Sequence, residues 1–349
     1  MMEANLSANT TNAGIPPMPF GVTLERVYRI LRDHLKVFLG IGIVPGVGMM
    51  LLYGAVMGTM FAYLWPYLGK NGAPPANPDP VAMIHILFPS MMLAGIAIMI
   101  PMMAVMAFYL TSAFHAANRI DSGIATTVGE CYSVAWQRMG RSFVLLIWVY
   151  FRAFGLALAI LCAGFGSFIL LAPGAPKQTP SPALFAIFPL LWLLYMAAYV
   201  YGFIVAMRLS LAFPTCLEEG LTPSEAIRRS CYLTHGSKGR IFLLLLVVEL
   251  IGMACFMVLY ILGILVFVIG ALGISALHLH PTGPWAIVVA GAGGLLIVFF
   301  YYFAMALIYG SMVVTLSVVY HDQRRRMDAS LPAQRPVVGA ELTPGAEPA

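Results

Sequence analysis

Two ionisable residues, Arg152 and Glu249, stand inside long apolar stretches of the sequence. If these stretches are helices, each charge lies about 12–15 Å from the nearer polar segment. Ionisable groups at such depths in a membrane usually face the interior of a helix bundle and pair with one another. The two positions therefore predict a buried ion pair. The alternatives are that both residues line a polar path for a solute or an ion, or that they face water at unrelated places.

The other residues show no pattern typical of catalysis. Metal-assisted hydrolysis needs several carboxylates and histidines at one place, whereas the acidic residues here are scattered. His278 and His280 form an H-x-H pair and His85 lies in a separate stretch, and we interpret them as interfacial histidines without a metal. The five cysteines form no C-x-x-C pair, and no G-x-S-x-G nucleophile motif is present. We therefore predict no enzyme activity, no metal and no cofactor.

The composition indicates the class of protein that carries these residues. Of the 349 residues, 61% are hydrophobic and only 9% are charged, whereas a soluble domain usually has about a quarter charged residues. Six apolar stretches are long enough to cross about 30 Å of hydrocarbon as helices. Approximate bounds for these spans are Val37–Trp65, Val81–Phe114, Ser142–Ala172, Leu184–Phe213, Ile241–Leu277 and Ala286–Tyr320. The predicted fold is an all-α polytopic integral membrane protein with six transmembrane helices.

The basic residues predict the orientation of these spans. Of the 19 Lys and Arg residues, 15 lie in the terminal segments or in the loops after the second and fourth spans. The opposite loops contain only Lys70 and Lys177. Because Lys and Arg are enriched in cytoplasmic loops, we expect a multi-pass protein of the plasma or inner membrane with both termini in the cytoplasm.

A short polar motif precedes the apolar stretches more than once. Thr222-Pro-Ser-Glu225 matches a capping box with Pro at the first helical position, and Thr127-Val-Gly-Glu130 is a second T-x-x-E sequence. The segment "TLERVYRILRDHLKVF" near the start resembles them, although its cap is displaced by one residue. Each copy has apolar residues at helical spacing, which predicts an amphipathic helix at the membrane surface.

These copies divide the predicted membrane domain, residues 20–326, into three units. Each unit comprises one amphipathic helix and a transmembrane hairpin, and the units cover about residues 20–120, 121–220 and 221–326. Glycines 236 and 239 are expected to interrupt the third copy before its span. Residues 1–19 and 327–349 are rich in small residues and proline, so we expect both tails to be disordered.

Three segments resemble the membrane domain associated with glycerophosphoryl diester phosphodiesterases and related bacterial six-span proteins. They are "LERVYRILRDHLKVFLGIGIVPGVG", "LTPSEAIRRSCYLTHGSKGRIFLLLL" and the closing "TLSVVYHDQRRR", in which His321 stands where that family usually has a second Tyr. The resemblance covers about residues 20–326 and implies a six-span membrane fold. In the full-length enzymes a separate soluble barrel carries the hydrolytic residues. Only a short tail follows Arg326 here, so the resemblance implies no phosphodiesterase activity.

The leading functional interpretation is a non-enzymatic membrane scaffold or accessory factor of the cell envelope. Its basic helices would contact anionic lipid head groups, and nucleic acid is not an expected partner. The candidate head-group contacts are Arg228, Arg229, Arg324, Arg325 and Arg326. One alternative is a small-solute or ion transporter or channel with a polar path at Arg152 and Glu249, and a third interpretation is a lipid-acting membrane enzyme.

Overall fold

The computed structural model describes residues 16–64, 80–171, 182–276 and 284–330. Within these ranges the chain forms helices and no strands. The helices are α1 (Phe20–Asp33), α2 (Leu35–Leu64), α3 (Pro80–Asp121), α4 (Val128–Leu171), α5 (Pro182–Leu209), α6 (Ala212–Glu218), α7 (Pro223–Leu233), α8 (Lys238–Ala276) and α9 (Pro284–Ser330).

The prediction of an all-helical membrane fold is confirmed, because six of the helices in these ranges are long and apolar enough to cross a membrane. They are α2, α3, α4, α5, α8 and α9. The long fifth stretch forms one helix of 39 residues, as expected. Within the fourth span, helix α5 ends at Leu209, and the chain continues through a short turn into the buried helix α6.

The three polar segments that precede the spans do not all fold alike. The first and third form separate helices, α1 and α7, whereas the second is the beginning of the continuous helix α4. Between the second and third segments the difference follows from glycine conformation, whereas α1 ends at His34. Gly236 has φ +82°, a left-handed conformation that ends a helix readily only at glycine, while Gly140 and Gly239 both lie within helices. The expectation that Gly239 interrupts the chain was therefore wrong, and the grouping into three units remains a prediction.

The helices α2, α3 and α9 pack against one another at the centre of the bundle. Close approach of α2 and α9 depends on small residues. A Cβ atom added at Gly42 would lie 3.3 Å from the Ala306 Cβ, and one at Gly46 would lie 3.4 Å from the Phe299 ring. The Tyr109 hydroxyl of α3 donates a hydrogen bond to the Ala306 carbonyl on α9. The G-x-x-x-G spacing at 42–46 therefore serves helix packing.

The other spans pack around this centre. α4 packs on α3 and α5 packs on α4, while α8 packs on α9. A Cβ atom at Gly202 of α5 would overlap the Ala153 carbonyl oxygen of α4, so these two backbones are nearly in contact. In contrast, α5 and α8 share only a small contact, which includes the rings of Phe203 and Phe242 at 5.8 Å between centroids. The arms α4–α5 and α8–α9 are therefore largely separate.

The outer surface of the six long helices is apolar. Side chains such as Leu51, Leu190 and Ile251 are exposed by 63%, 67% and 58%. Water would not tolerate so many contiguous exposed apolar side chains, whereas lipid chains solvate them. The surface thus agrees with the span lengths in indicating a membrane protein.

Part of each predicted tail lies within the described ranges. Residues 16–19 have no regular structure but are held by hydrogen bonds at Met18. Helix α9 continues to Ser330, so the first four residues of the predicted carboxyl-terminal tail are helical. The rest of each tail, residues 1–15 and 331–349, lies outside the described residues.

We expect Gly202→Ala to destabilise the protein by about 1–3 kcal/mol, because the added methyl group must push α5 away from α4. The buried thiols of Cys131 and Cys216 allow a thiol-reactive dye to report thermal unfolding once the exposed Cys162, Cys231 and Cys255 are replaced by Ser. The matched control is Gly58→Ala on α2, where an added Cβ meets no atom within 4 Å. Equal melting temperatures for the two variants would contradict the packing described here.

Candidate functional site

Polar side chains converge at one end of the helix bundle, where α1, α6 and α7 meet the ends of the long helices. We call this set of residues the polar layer. It comprises Arg26, Asn118, Asp121, Glu218, Glu219, Arg229, Arg240, Ser317, Tyr320, His321 and Asp322.

Asp121, the last residue of α3, is the most enclosed carboxylate of the layer, with its side chain only 3% exposed. The Arg26 Nε atom of α1 donates to one carboxylate oxygen at 2.7 Å, and Nδ1 of His321 from α9 lies 2.8 Å from the other. A buried charge is tolerated only with such partners. The carboxylate therefore joins α3 to the first and last helices.

A second carboxylate fixes the segment that precedes α1. Arg240 at the start of α8 forms an ion pair with Asp322 of α9, with 3.2 Å between Nη1 and Oδ2. Met18 is held between them, since its amide donates to Asp322 at 3.3 Å and its carbonyl accepts from Arg240. These contacts bring α1, α8 and α9 together.

The short helix α6 joins the layer through two adjacent glutamates. The Asn118 amide nitrogen of α3 donates to Glu218 at 2.6 Å, and the Ser317 hydroxyl of α9 donates to the Asn118 oxygen. The Tyr320 hydroxyl donates to Glu219 at 3.0 Å. Glu219 also lies 3.3 Å from Nε of Arg229, an ion pair that lacks hydrogen-bond geometry. The helices α3, α6, α7 and α9 are thereby connected.

Three further arginines, one on α3 and two on α4, attach α4 to the same end. Arg119 of α3 forms a 2.8 Å ion pair with Glu130 near the start of α4. Arg138 and Arg141 donate to the backbone carbonyls of Leu217 and Gly220 at 2.8 and 3.2 Å. Three residues that sequence analysis used only as markers of orientation therefore also hold the layer together.

The two predicted capping motifs have different hydrogen bonds. In the third segment the Thr222 amide donates to the Glu225 carboxylate at 3.0 Å, as a capping box requires. In the second segment the Glu130 amide donates to the Thr127 hydroxyl at 3.3 Å, but the Glu130 carboxylate instead binds Arg119. The first segment does not begin at a Thr, because α1 starts at Phe20 after Pro19.

The structure does not bring Arg152 and Glu249 together. They lie on α4 and α8, which belong to separate arms, and no ion pair joins them among the described contacts. The exposed Arg152 guanidinium lies 5.3 Å from the centroid of the Trp148 ring. One Glu249 oxygen, Oε2, is enclosed and has no hydrogen-bond partner. The predicted ion pair within the chain is therefore absent, and a polar path remains a prediction.

The five candidate head-group arginines differ in accessibility. Arg228 and Arg325 are exposed, whereas Arg229, Arg324 and Arg326 are half-buried. The three half-buried guanidinium groups lie near Glu219, the Tyr320 hydroxyl and the Gln323 side chain, respectively. Of these five arginines, Arg228 and Arg325 are the two that are largely open to a surface outside the bundle.

Two further features bear on chemistry. A pocket of about 240 Å³ between α4 and α5 is lined by aromatic and aliphatic side chains, including Tyr150, Phe154 and Tyr199. Among the described residues no group of three or more potential metal ligands occurs. His278 and His280 lie outside those residues, as does the side chain of His85. The polar side chains in the described part of the chain therefore mainly join helices to one another. Their arrangement there does not favour a particular reaction.

Sequence analysis missed the role of the closing segment "TLSVVYHDQRRR". Its residues Ser317, Tyr320, His321 and Asp322 all enter the polar layer, yet they were used only as part of a resemblance. The sequence does contain an indication of this role. Polar residues follow the apolar stretch at helical spacing, which places them on neighbouring faces at the end of the span.

Comparison of the chain with models of known protein families, with curated proteins and with solved structures found no match. The fold itself defines the class, a multi-pass all-helical membrane protein.

We expect Asp121→Asn to reduce stability by about 1–3 kcal/mol, because Arg26, whose side chain is 33% exposed, would lose its anionic partner. Asp33→Asn is the matched control. Its partner Arg32 is adjacent in sequence and both side chains are well exposed, so the change should be below about 0.5 kcal/mol. Thermal unfolding in detergent measures both, and a similar loss in both variants would contradict a special role for Asp121.

The cap of α7 predicts a dependence on pH. Hydrogen bonds from the Thr222 hydroxyl and amide lower the pKa of Glu225 below its usual value. The cap therefore stabilises α7 fully above the unfolded pKa and is lost as pH falls through the folded pKa. We expect hydrogen exchange in the first turn of α7, corrected for intrinsic rates, to increase on acidification through this range. Glu225→Gln should remove most of the increase, and an unchanged increase would exclude Glu225 as its source.

Proposed function

We propose that this protein is a non-enzymatic membrane scaffold or accessory factor that contacts anionic lipid through the outer surface of its polar end. The observation that supports this most is how the polar end uses its charges. Acidic residues of this end, such as Asp121, Asp322 and Glu219, form ion pairs with arginines of the same chain. Arginines such as Arg228 and Arg325 remain exposed at the periphery.

A basic surface beside a bilayer attracts anionic head groups by about 1 kcal/mol for each Lys or Arg near the lipid. Exposed residues at this end also include Lys36 before the apolar part of α2 and Arg141 before that of α4. Such residues would lie at head-group depth if the six long helices cross the membrane. On this proposal the polar end faces the cytoplasm, in keeping with the distribution of basic residues along the sequence.

A transport role would require Arg152 and Glu249 to line one path. Because the two residues lie on separate arms of the bundle, the described structure offers less support for this alternative. The resemblance to six-span membrane domains supports the membrane fold in this proposal. It gives no reason to propose an enzyme activity.

The proposal predicts a preference for anionic lipid. Full-length protein in a neutral detergent should gain more thermal stability from added phosphatidylglycerol than from phosphatidylcholine, and the difference should shrink at high salt. The double variant Arg228→Gln/Arg325→Gln should lose about 1 kcal/mol of this lipid-dependent stabilisation for each guanidinium removed.

The matched control is Arg228→Lys/Arg325→Lys, which keeps both charges and should retain the preference for phosphatidylglycerol. Equal stabilisation of the natural protein by the two lipids would contradict the proposal. The same conclusion would follow if the Gln and natural proteins showed the same preference.

A further inference from the structure

Arg152 and Glu249 lie at nearly the same depth in the bundle. Arg152 is about 15 Å beyond Ser142, where the apolar part of α4 begins, and Glu249 is about 12 Å beyond Ile241 on α8. These helices are the third and fifth of six successive spans, so they cross the membrane in the same direction. The match in depth therefore holds whichever side of the membrane the termini occupy.

Arg152 lies on the outer side of α4. Its neighbours Trp148, Phe151 and Leu156 are exposed by 51%, 52% and 55%, whereas Ala153 on the opposite side packs against α5. The guanidinium contacts the Trp148 ring and has no acidic partner in the described part of the chain. A central arginine facing lipid costs about 2.5–3.5 kcal/mol on insertion scales. An external acidic partner would offset this cost.

Glu249 lies beside the seam between α8 and α9. One turn further on, a Cβ atom added at Gly252 would lie 3.1 Å from Ile308, so the helices approach closely there. Around Glu249, the side chains of Leu246 and Leu250 are exposed by 38% and 58%. The carboxylate is thus half-buried at an outer edge of the bundle, with no cation beside it among the described residues.

We infer that a second copy of this chain supplies the missing partners, with Arg152 of each copy bound to Glu249 of the other. The bilayer holds all copies at one depth and in one orientation, so groups of equal depth meet when two copies lie side by side. A two-fold axis along the membrane normal would form the pair twice. A hydrogen bond from an arginine to a carboxylate oxygen is charge-assisted, and it is strong where water is excluded.

The second copy fits these groups better than a lipid does. A cationic lipid head group remains at the interface, about 12–15 Å from Glu249 by the helical rise. The second copy carries its cation at the required depth. Pairing requires that the six helices cross the bilayer and is independent of the lipid contacts proposed above.

Cross-linking between differently tagged copies tests the pair directly. One full-length chain carries Arg152→Cys and the other Glu249→Cys, both with the exposed Cys162, Cys231 and Cys255 changed to Ser and the buried Cys131 and Cys216 retained. After co-expression and treatment of membranes with a short, permeant thiol cross-linker, we expect a product that carries both tags. Val44→Cys replaces Arg152→Cys in the control, because Val44 is exposed on α2 at a similar depth and should give little product.

The charges are tested by single-molecule photobleaching of labelled protein diluted into lipid vesicles. We expect Arg152→Gln and Glu249→Gln each to weaken the dimer at least tenfold, and Arg152→Glu/Glu249→Arg to restore it. The melting temperature of the Arg152→Gln monomer in detergent should change little, since the guanidinium contacts the exposed Trp148 ring and has no acidic partner among the described residues. This separates loss of pairing from loss of folding.

Several results would overturn the inference. One is a monomer in vesicles together with no product carrying both tags. Another is cross-linking of positions 152 and 249 within one chain when both are Cys, which would place the pair inside the monomer. A third is cross-linking of the Glu249→Cys chain to a different membrane protein in place of the second copy.

Discussion

The carboxylate of Asp121 must have hydrogen-bonding partners, because the end of α3 withdraws it almost completely from water. Those partners come from opposite ends of the sequence, Arg26 from the first helix and His321 from the last. Satisfying one buried charge therefore requires that α1, α3 and α9 meet at one end of the bundle. The hydrogen bonds of Asn118 and Ser317 repeat this connection between α3 and α9 one turn away.

The same requirement explains why hydrogen bonds and ion pairs are concentrated at the polar end among the described residues. Within the membrane, lipid chains solvate apolar side chains about as well as other helices do, so little hydrophobic force holds the spans together. Helix association is instead stabilised by close packing at Gly42 and Gly202 and by polar contacts at the bundle end. The arms α4–α5 and α8–α9 can accordingly stay apart along much of their length while α6 and α7 hold their ends near α9.

Charges within the protein thus fall into two groups. Those of the polar layer are paired inside the chain and stabilise its architecture. Arg152 and Glu249 lie at membrane depth without an ion-pair partner among the described residues, and the pairing inferred above would join them to a second copy. The distinction matters for function, because internally paired residues have little capacity left for a ligand or a partner protein.

The sequence by itself determined the class of the protein. Six long apolar stretches can satisfy their backbone groups in lipid only as helices, so their number and approximate bounds could be predicted without knowledge of packing. The Thr222–Glu225 cap and the end of α7 near Gly236 were also predictable, because these signals act over a few residues. Only the tertiary structure decided which helices are neighbours. Apolar periodicity is uninformative where both lipid and protein solvate apolar surfaces, so the separation of Arg152 from Glu249 could not be foreseen. The convergence of Asp121 with Arg26 and His321 likewise depends on contacts between residues 95 and 200 positions apart, which no local pattern records.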